Sequence, residues 1–262
     1  MVRFKCSIKS CQIKAESFVA PLMSAAINFV YPPTCLFCHQ GVVNPVGHDF
    51  CESCLSKLKP VHVLECPRCG APVGPYTDLT RGCGQCRRET FAFDEVIRLG
   101  VYDGQMRLAL LRAKASGGGI MARGLADVLV NEKRAKFEEP GFDLVVPIPE
   151  HWTRRLLHPH YAAETISRQI ARKLKVRWSR KILLKTRRTP KQATSPTLLR
   201  RQQQQGSFAV SRSRQISGKT ILLVDDILTT GSTSHAAANT LKNAGAAHVI
   251  VAVIAVSPLR KI

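Results

Sequence analysis

The chain has 262 residues and carries 39 Lys and Arg against 18 Asp and Glu, a formal charge of +21 with a pI near 10. Such a field attracts polyanions: nucleic acid, a phosphorylated substrate or an anionic membrane face. No stretch approaches the ~20 consecutive apolar residues of a spanning helix, and eight of the ten cysteines stand in CxxC pairs, which is metal spacing and not a disulfide framework.

In chain order, residues 1–32 form an extension that starts basic and contains Cys6 and Cys11, which match no metal spacing and read as spare thiols. Phe18, Leu22, Ala25, Ala26 and Phe29 then recur at helical spacing and predict a short amphipathic helix. Glu16, Pro21 and Asn28 interrupt the apolar run, and no cleavage site follows it. Residues 33–90 form a cysteine module with the pairs Cys35/Cys38, Cys51/Cys54, Cys66/Cys69 and Cys83/Cys86, spaced by 12, 11 and 13 residues. Little apolar material lies between them, so the segment needs metal to fold. Two tetrahedral Cys₄ zinc sites satisfy all eight thiolates. Which pairs combine is open at this level, with neighbouring pairs the simplest choice. Thiolates reserved for metal imply a reducing compartment, hence a cytoplasmic location.

The region 91–262 turns α/β. Val96–Tyr102 predicts a strand, Gln105–Ala115 and Ile120–Glu132 predict helices separated by glycines 117–119, and Leu144–Ile148 predicts a buried strand. Ala162–Leu174 reads as a helix with Ile166, Ile170 and Leu174 on one face. Residues 186–215 are polar, basic and of low complexity, which predicts a mobile loop. Ile221–Val224, a helix over Ser234–Asn243 closed by Gly245, and Val249–Val256 complete a sheet of βαβ units. Across 151–219 there are 18 Lys and Arg and one acid, Glu164.

The most informative string is Val224-Asp225-Asp226-Ile227-Leu228-Thr229-Thr230-Gly231-Ser232-Thr233. An apolar strand leads into two carboxylates, then a hydroxyl-rich turn, then a helix. In an open α/β sheet, ligands bind at the carboxyl ends of strands against helix N-termini. The segment Thr229, Thr230, Gly231, Ser232, Thr233 offers N–H groups, hydroxyls and a helix dipole to a phosphate. Asp225 and Asp226 suit sugar hydroxyls or a phosphate-bound Mg²⁺. A phosphate cradle beside a diol clamp describes a phosphorylated ribose.

This string resembles the 5-phosphoribosyl-1-pyrophosphate (PRPP) signature of type I phosphoribosyltransferases. Joined to the four CxxC pairs, to Pro147-Ile148-Pro149, to Arg188-Thr189-Pro190-Lys191-Gln192 and to Arg200 through Phe208, the chain resembles the competence-protein ComF family from about Pro33 to Ala255. The resemblance implies a type I phosphoribosyltransferase fold, an open and mostly parallel sheet flanked by helices, with a small N-terminal double zinc ribbon. It implies PRPP binding with Mg²⁺ and, in some bacteria, a role in DNA uptake for transformation. It also places a pyrophosphate loop at 149–155, where Arg154 and Arg155 suit bidentate phosphate contacts, and a closing loop at 187–208 carrying Arg187, Arg188 and Lys191. At one point the chain departs from the family: His158-Pro159-His160-Tyr161-Ala162 stands where relatives carry Arg-Gly-Phe-Asn-Gln.

Two functions follow from these features. The first is transfer of phosphoribose to an unidentified acceptor with release of pyrophosphate, in which Asp225 and Asp226 hold the sugar hydroxyls and stabilise a cationic transition state. The second is a non-catalytic factor that senses PRPP or phosphate and works on single-stranded DNA with the uptake machinery. A pure protein-binding adaptor would account for the cysteines and leave Asp225–Thr233 without a purpose.

Overall fold

The computed structural model describes residues 33–42, 49–59, 64–87, 89–150, 161–186, 206–211 and 213–257. The helix expected within residues 1–32, with Cys6 and Cys11, lies outside them. The chain divides into two compact units, Met1–Cys51 and Glu52–Ile262.

In the first unit a turn over Cys35–Cys38 is closed by His39 N–H donating to the Cys35 carbonyl at 2.9 Å, with His39 in the left-handed region at φ 61°. The second unit repeats that turn with glycine: Gly70 N–H donates to the Cys66 carbonyl at 2.7 Å, at φ 70°. This unit opens with helix α1 (Glu52–Leu58), followed by the antiparallel ribbon of β1 (Leu64–Glu65) and β2 (Pro72–Val73), which carries the Cys66/Cys69 turn at its tip.

Next come β3 (Glu95–Val101), α2 (Gly104–Lys114), α3 (Gly119–Glu132), α4 (Arg134–Glu138) and β4 (Leu144–Pro147). Asp103 starts α2 by accepting from the Gly104 N–H at 2.8 Å. After α5 (Ala162–Leu174) come the short strands β5 (Arg177–Trp178), β6 (Leu183–Lys185) and β7 (Phe208–Val210), then β8 (Thr220–Leu228), α6 (Ser232–Asn243) and β9 (His248–Val256). The five-stranded sheet has the order β3-β9-β8-β4-β5 and is parallel throughout. Its central strands are nearly continuous hydrophobic runs. Ile221 to Val224 and Val249 to Val256 are buried along their length, as expected of parallel strands covered on both faces. Helix α5 packs on β4 and β8, and α6 packs on β8 and β9. The C-terminus of α6 is a Schellman motif, with Gly245 N–H bonded to the Lys242 carbonyl and Ala246 N–H to that of Leu241.

Two expectations need correction. Strand β8 does not end at Val224: Asp225, Ile227 and Leu228 stay in register with Val253, Ala255 and Val256 of β9, so the acidic pair lies within the strand. Residues 186–215 are not one loop either. Phe208, buried by its own hydrophobicity, anchors β7 against β6, and a 3₁₀ turn follows at Ser213–Gln215. A three-residue strand amid polar neighbours gives too short an alternation to read.

Candidate functional site

The carboxyl end of β8 presents Asp225 and Asp226 side by side, and both are only partly accessible. Asp226 N–H donates to Asp225 Oδ1 at 2.8 Å, while Asp226 Oδ2 sits 3.0 Å from Lys114 Nζ at the end of α2. Burial, and then the neighbouring Asp226 charge, push the Asp225 carboxyl up to about 7, against the opposing pull of the Asp226 N–H, Lys114 and Lys185. Lys114 and Lys185 therefore face the acidic pair from α2 and β6. No local motif in the sequence marks either of them.

The turn Thr229–Gly231 leads directly into α6, which starts at Ser232, two residues earlier than its apolar pattern suggests. Gly231 is the N-cap at φ 74° and supplies no capping side chain; Ser232 N–H donates to Thr230 Oγ1 at 3.4 Å, and the helix dipole at this end still favours an anion. Thr230 Oγ1 and Ser232 Oγ share a hydrogen bond of 2.9 Å, which gathers two hydroxyls at the same end. A Cβ on Gly231 would stand 2.9 Å from Phe91 Cε1, so this turn is seated against the segment that links it to the cysteine module. Phe91 in turn stacks on Phe93, with ring centroids 4.6 Å apart. On the same side, His235 Nδ1 accepts from the Ala92 N–H at 3.1 Å. Asp225, Asp226, Thr229, Thr230, Gly231, Ser232 and Thr233 are thus brought together on one strand end and helix start. Arg154, Arg155, Arg188 and Lys191, like His158 and His160, lie outside the described residues.

The cysteines assemble as neighbouring pairs. Cys35, Cys38, Cys51 and Cys54 form one tetrad and Cys66, Cys69, Cys83 and Cys86 the other, with the sulfurs of each within 4.8 Å of one another. Zinc–sulfur bonds of about 2.3 Å in a tetrahedron require sulfurs about 3.8 Å apart. The Cys38–Cys51, Cys66–Cys86, Cys69–Cys83 and Cys83–Cys86 sulfurs are 3.7, 3.7, 3.5 and 3.8 Å apart. In the second tetrad burial, with the neighbouring thiols, drives Cys69 upward and Cys86 up to about 11. Burial also works against the Cys66 thiolate, but the N–H groups of Cys83, Cys69 and Arg68 outweigh it and hold its pKa low. Four thiols so crowded ionise together only around a cation, and both tetrads fit a structural Zn²⁺. Ala71, Val73, Leu79 and Phe91 pack around the second tetrad.

Comparison with known proteins agrees with this architecture. The phosphoribosyl transferase domain family model matches residues 156–261, and the double zinc ribbon domain model matches residues 26–91. The chain is 23% identical to competence protein F of Haemophilus influenzae over 83% of its own length and 94% of that protein's. It is 26% identical to the DNA utilization protein YhgH of Escherichia coli O157:H7, covering 84% of this chain and 95% of that one. It is also 26% identical to competence protein ComFC of Bacillus subtilis, covering 75% and 79%. Fold and site together define a phosphoribosyltransferase-like α/β protein that carries a double zinc ribbon. Within that class its full-length similarity is to relatives named competence protein F, ComFC and YhgH.

Proposed function

We propose that this protein binds PRPP with Mg²⁺ at the end of β8 and transfers its phosphoribose to an acceptor, releasing pyrophosphate. The observation that carries the reading is the junction of Asp225 and Asp226 with the hydroxyl-lined N-terminus of α6. The helix start and the Thr230 and Ser232 hydroxyls would take the 5′-phosphate. The two carboxylates would hold the 2′ and 3′ hydroxyls and face the positive charge that develops as the anomeric carbon–oxygen bond breaks and the acceptor bond forms. Lys114 would leave Asp226 for the pyrophosphate, joined by Arg154, Arg155, Arg188 and Lys191. Mg²⁺ would neutralise the departing pyrophosphate. No described side chain is assigned as general base. Eight thiolates kept for metal favour the reducing cytoplasm. Among the described residues no helix is long and apolar enough to cross a membrane.

A second reading rests on the 18 Lys and Arg against one acid across residues 151–219 and on relatives named for competence and DNA utilization. In it the site senses PRPP while the basic segment holds single-stranded DNA in an uptake pathway. Calorimetry with PRPP and Mg²⁺ tests both. Wild type should bind and the Asp225→Ala/Asp226→Ala variant should lose at least tenfold in affinity; equal binding removes the phosphoribosyl reading. Repeating the titration with an oligonucleotide at two salt concentrations should give DNA affinity that falls steeply with salt. Pyrophosphate release stimulated by an acceptor distinguishes catalysis from sensing.

A further inference from the structure

Strand β3 is the edge of the sheet, and Val96, Arg98 and Gly100 alternate onto one of its faces. That face lies under the second cysteine turn. A Cβ on Gly70 would come within 2.9 Å of Val96 Cγ1 and 3.4 Å of Arg98 Cδ, and Val96 N–H donates to the Pro67 carbonyl at 2.8 Å. Arg98 is fully buried, and among the described residues its Nε, Nη1 and Nη2 find no hydrogen-bond partner. Its nearest carboxylate is Glu65, with 3.4 Å between Nε and Oε2. Glu65 is already shared by Lys133 at 2.9 Å and Lys136 at 3.1 Å, and Glu95 pairs with Lys136 at 3.3 Å.

Three cations thus meet two carboxylates in a cluster buried at Arg98 and Glu65 and partly exposed at Lys133, Lys136 and Glu95, next to the residues flanking Cys66 and Cys69. A buried guanidinium without hydrogen bonds is strongly disfavoured unless a further anion faces it. A zinc tetrathiolate carries a formal charge of about −2 and has sulfur lone pairs that accept N–H donors. Burial lowers the proton affinity of Arg98, while Glu65 and the Cys69 thiolate are the acids near enough to oppose it.

We propose that Arg98 is a positioning residue of the second metal centre: its guanidinium balances the charge of the Cys66/Cys69/Cys83/Cys86 tetrathiolate and ties the zinc ribbon to the sheet edge. The inference rests on the reading of that tetrad as a zinc site. Loss of such an outer partner typically costs 10–100-fold in metal affinity.

The test measures zinc affinity of the full chain by competition with a chromophoric chelator. Wild type should hold two zinc ions; failure to bind the second overturns the zinc reading and this inference with it. In Arg98→Met one of the two ions should weaken about 10–100-fold and the other stay unchanged. A variant that holds both as tightly as wild type overturns the inference alone. Arg98→Met/Glu65→Gln removes both members of the ion pair and decides the matter if the single variant does not fold. Persistent loss of one ion in the double variant supports a partnership between Arg98 and the tetrad. Restoration to wild-type affinity would mean that Arg98 serves only Glu65.

Discussion

Asp225 holds its proton well above the ordinary carboxylate range because it is buried and stands beside a second carboxylate. Its pKa of about 7 against 3.8 for an unperturbed aspartate means that the folded protein retains this proton where the unfolded chain has released it. The stability contributed by that proton is therefore present below about pH 4 and lost as pH rises towards 7. Asp225→Asn removes the ionisation. The variant should gain on wild type between pH 5 and 8, reaching roughly 2–4 kcal/mol at the upper end, while its affinity for PRPP falls. Urea unfolding at the two pH values reads the difference. A gain that is the same at both would mean that this carboxyl does not titrate in the interval. A carboxylate pair that is costly in the free protein would be relieved by a cation or sugar hydroxyls, as the proposed binding of PRPP supplies.

One element, the turn from β8 into α6, sets where the hydroxyls and first-turn donors point. Gly231 adopts φ 74°, and Phe91 fills the space a side chain would need. Gly231→Ala meets both obstacles, with a left-handed penalty of about 1–2 kcal/mol and the clash added to it. Gly231→Ala/Phe91→Ala should recover the clash and keep the strain. In chemical unfolding the double variant should then lose less than the two single variants summed. Strict additivity would mean that Phe91 does not seat the turn. Much of this element was legible beforehand, because acidic pair, hydroxyl turn and helix start are contiguous in the chain and each leaves a local signature. The β8 extension was not, since only pairing with Val253 to Val256 of β9 keeps Asp225 and its neighbours in a strand. Lys114 was equally hidden, because the fold brings it to Asp226 from a helix more than a hundred residues earlier. The cysteine tetrads lie between these cases: spacing gives the ligands, and only folding gives their partition into neighbouring pairs.

Across the whole molecule, the second tetrad belongs to the unit that holds the sheet, Glu52–Ile262. Gly70 rests on Val96 and Val256, and a cavity of about 80 Å³ is walled by Cys69, Gln85 and Cys86 on one side and by Leu228, Thr229, Thr230 and Gly231 on the other. Zinc at this tetrad would therefore hold one wall against the turn proposed to take the 5′-phosphate. A domain stabilised through its metal loses that contribution when the ligands go. Cys66→Ser/Cys69→Ser should accordingly release one zinc ion and weaken PRPP binding by at least about tenfold. Cys35→Ser/Cys38→Ser, whose tetrad contributes no residue to that cavity, should release one zinc ion and leave PRPP affinity within about twofold. Zinc content and PRPP calorimetry on the same preparations make the comparison. Equal losses from the two pairs would mean that metal stabilises the chain generally; loss only from the second pair makes its zinc ribbon a wall of the phosphoribosyl site.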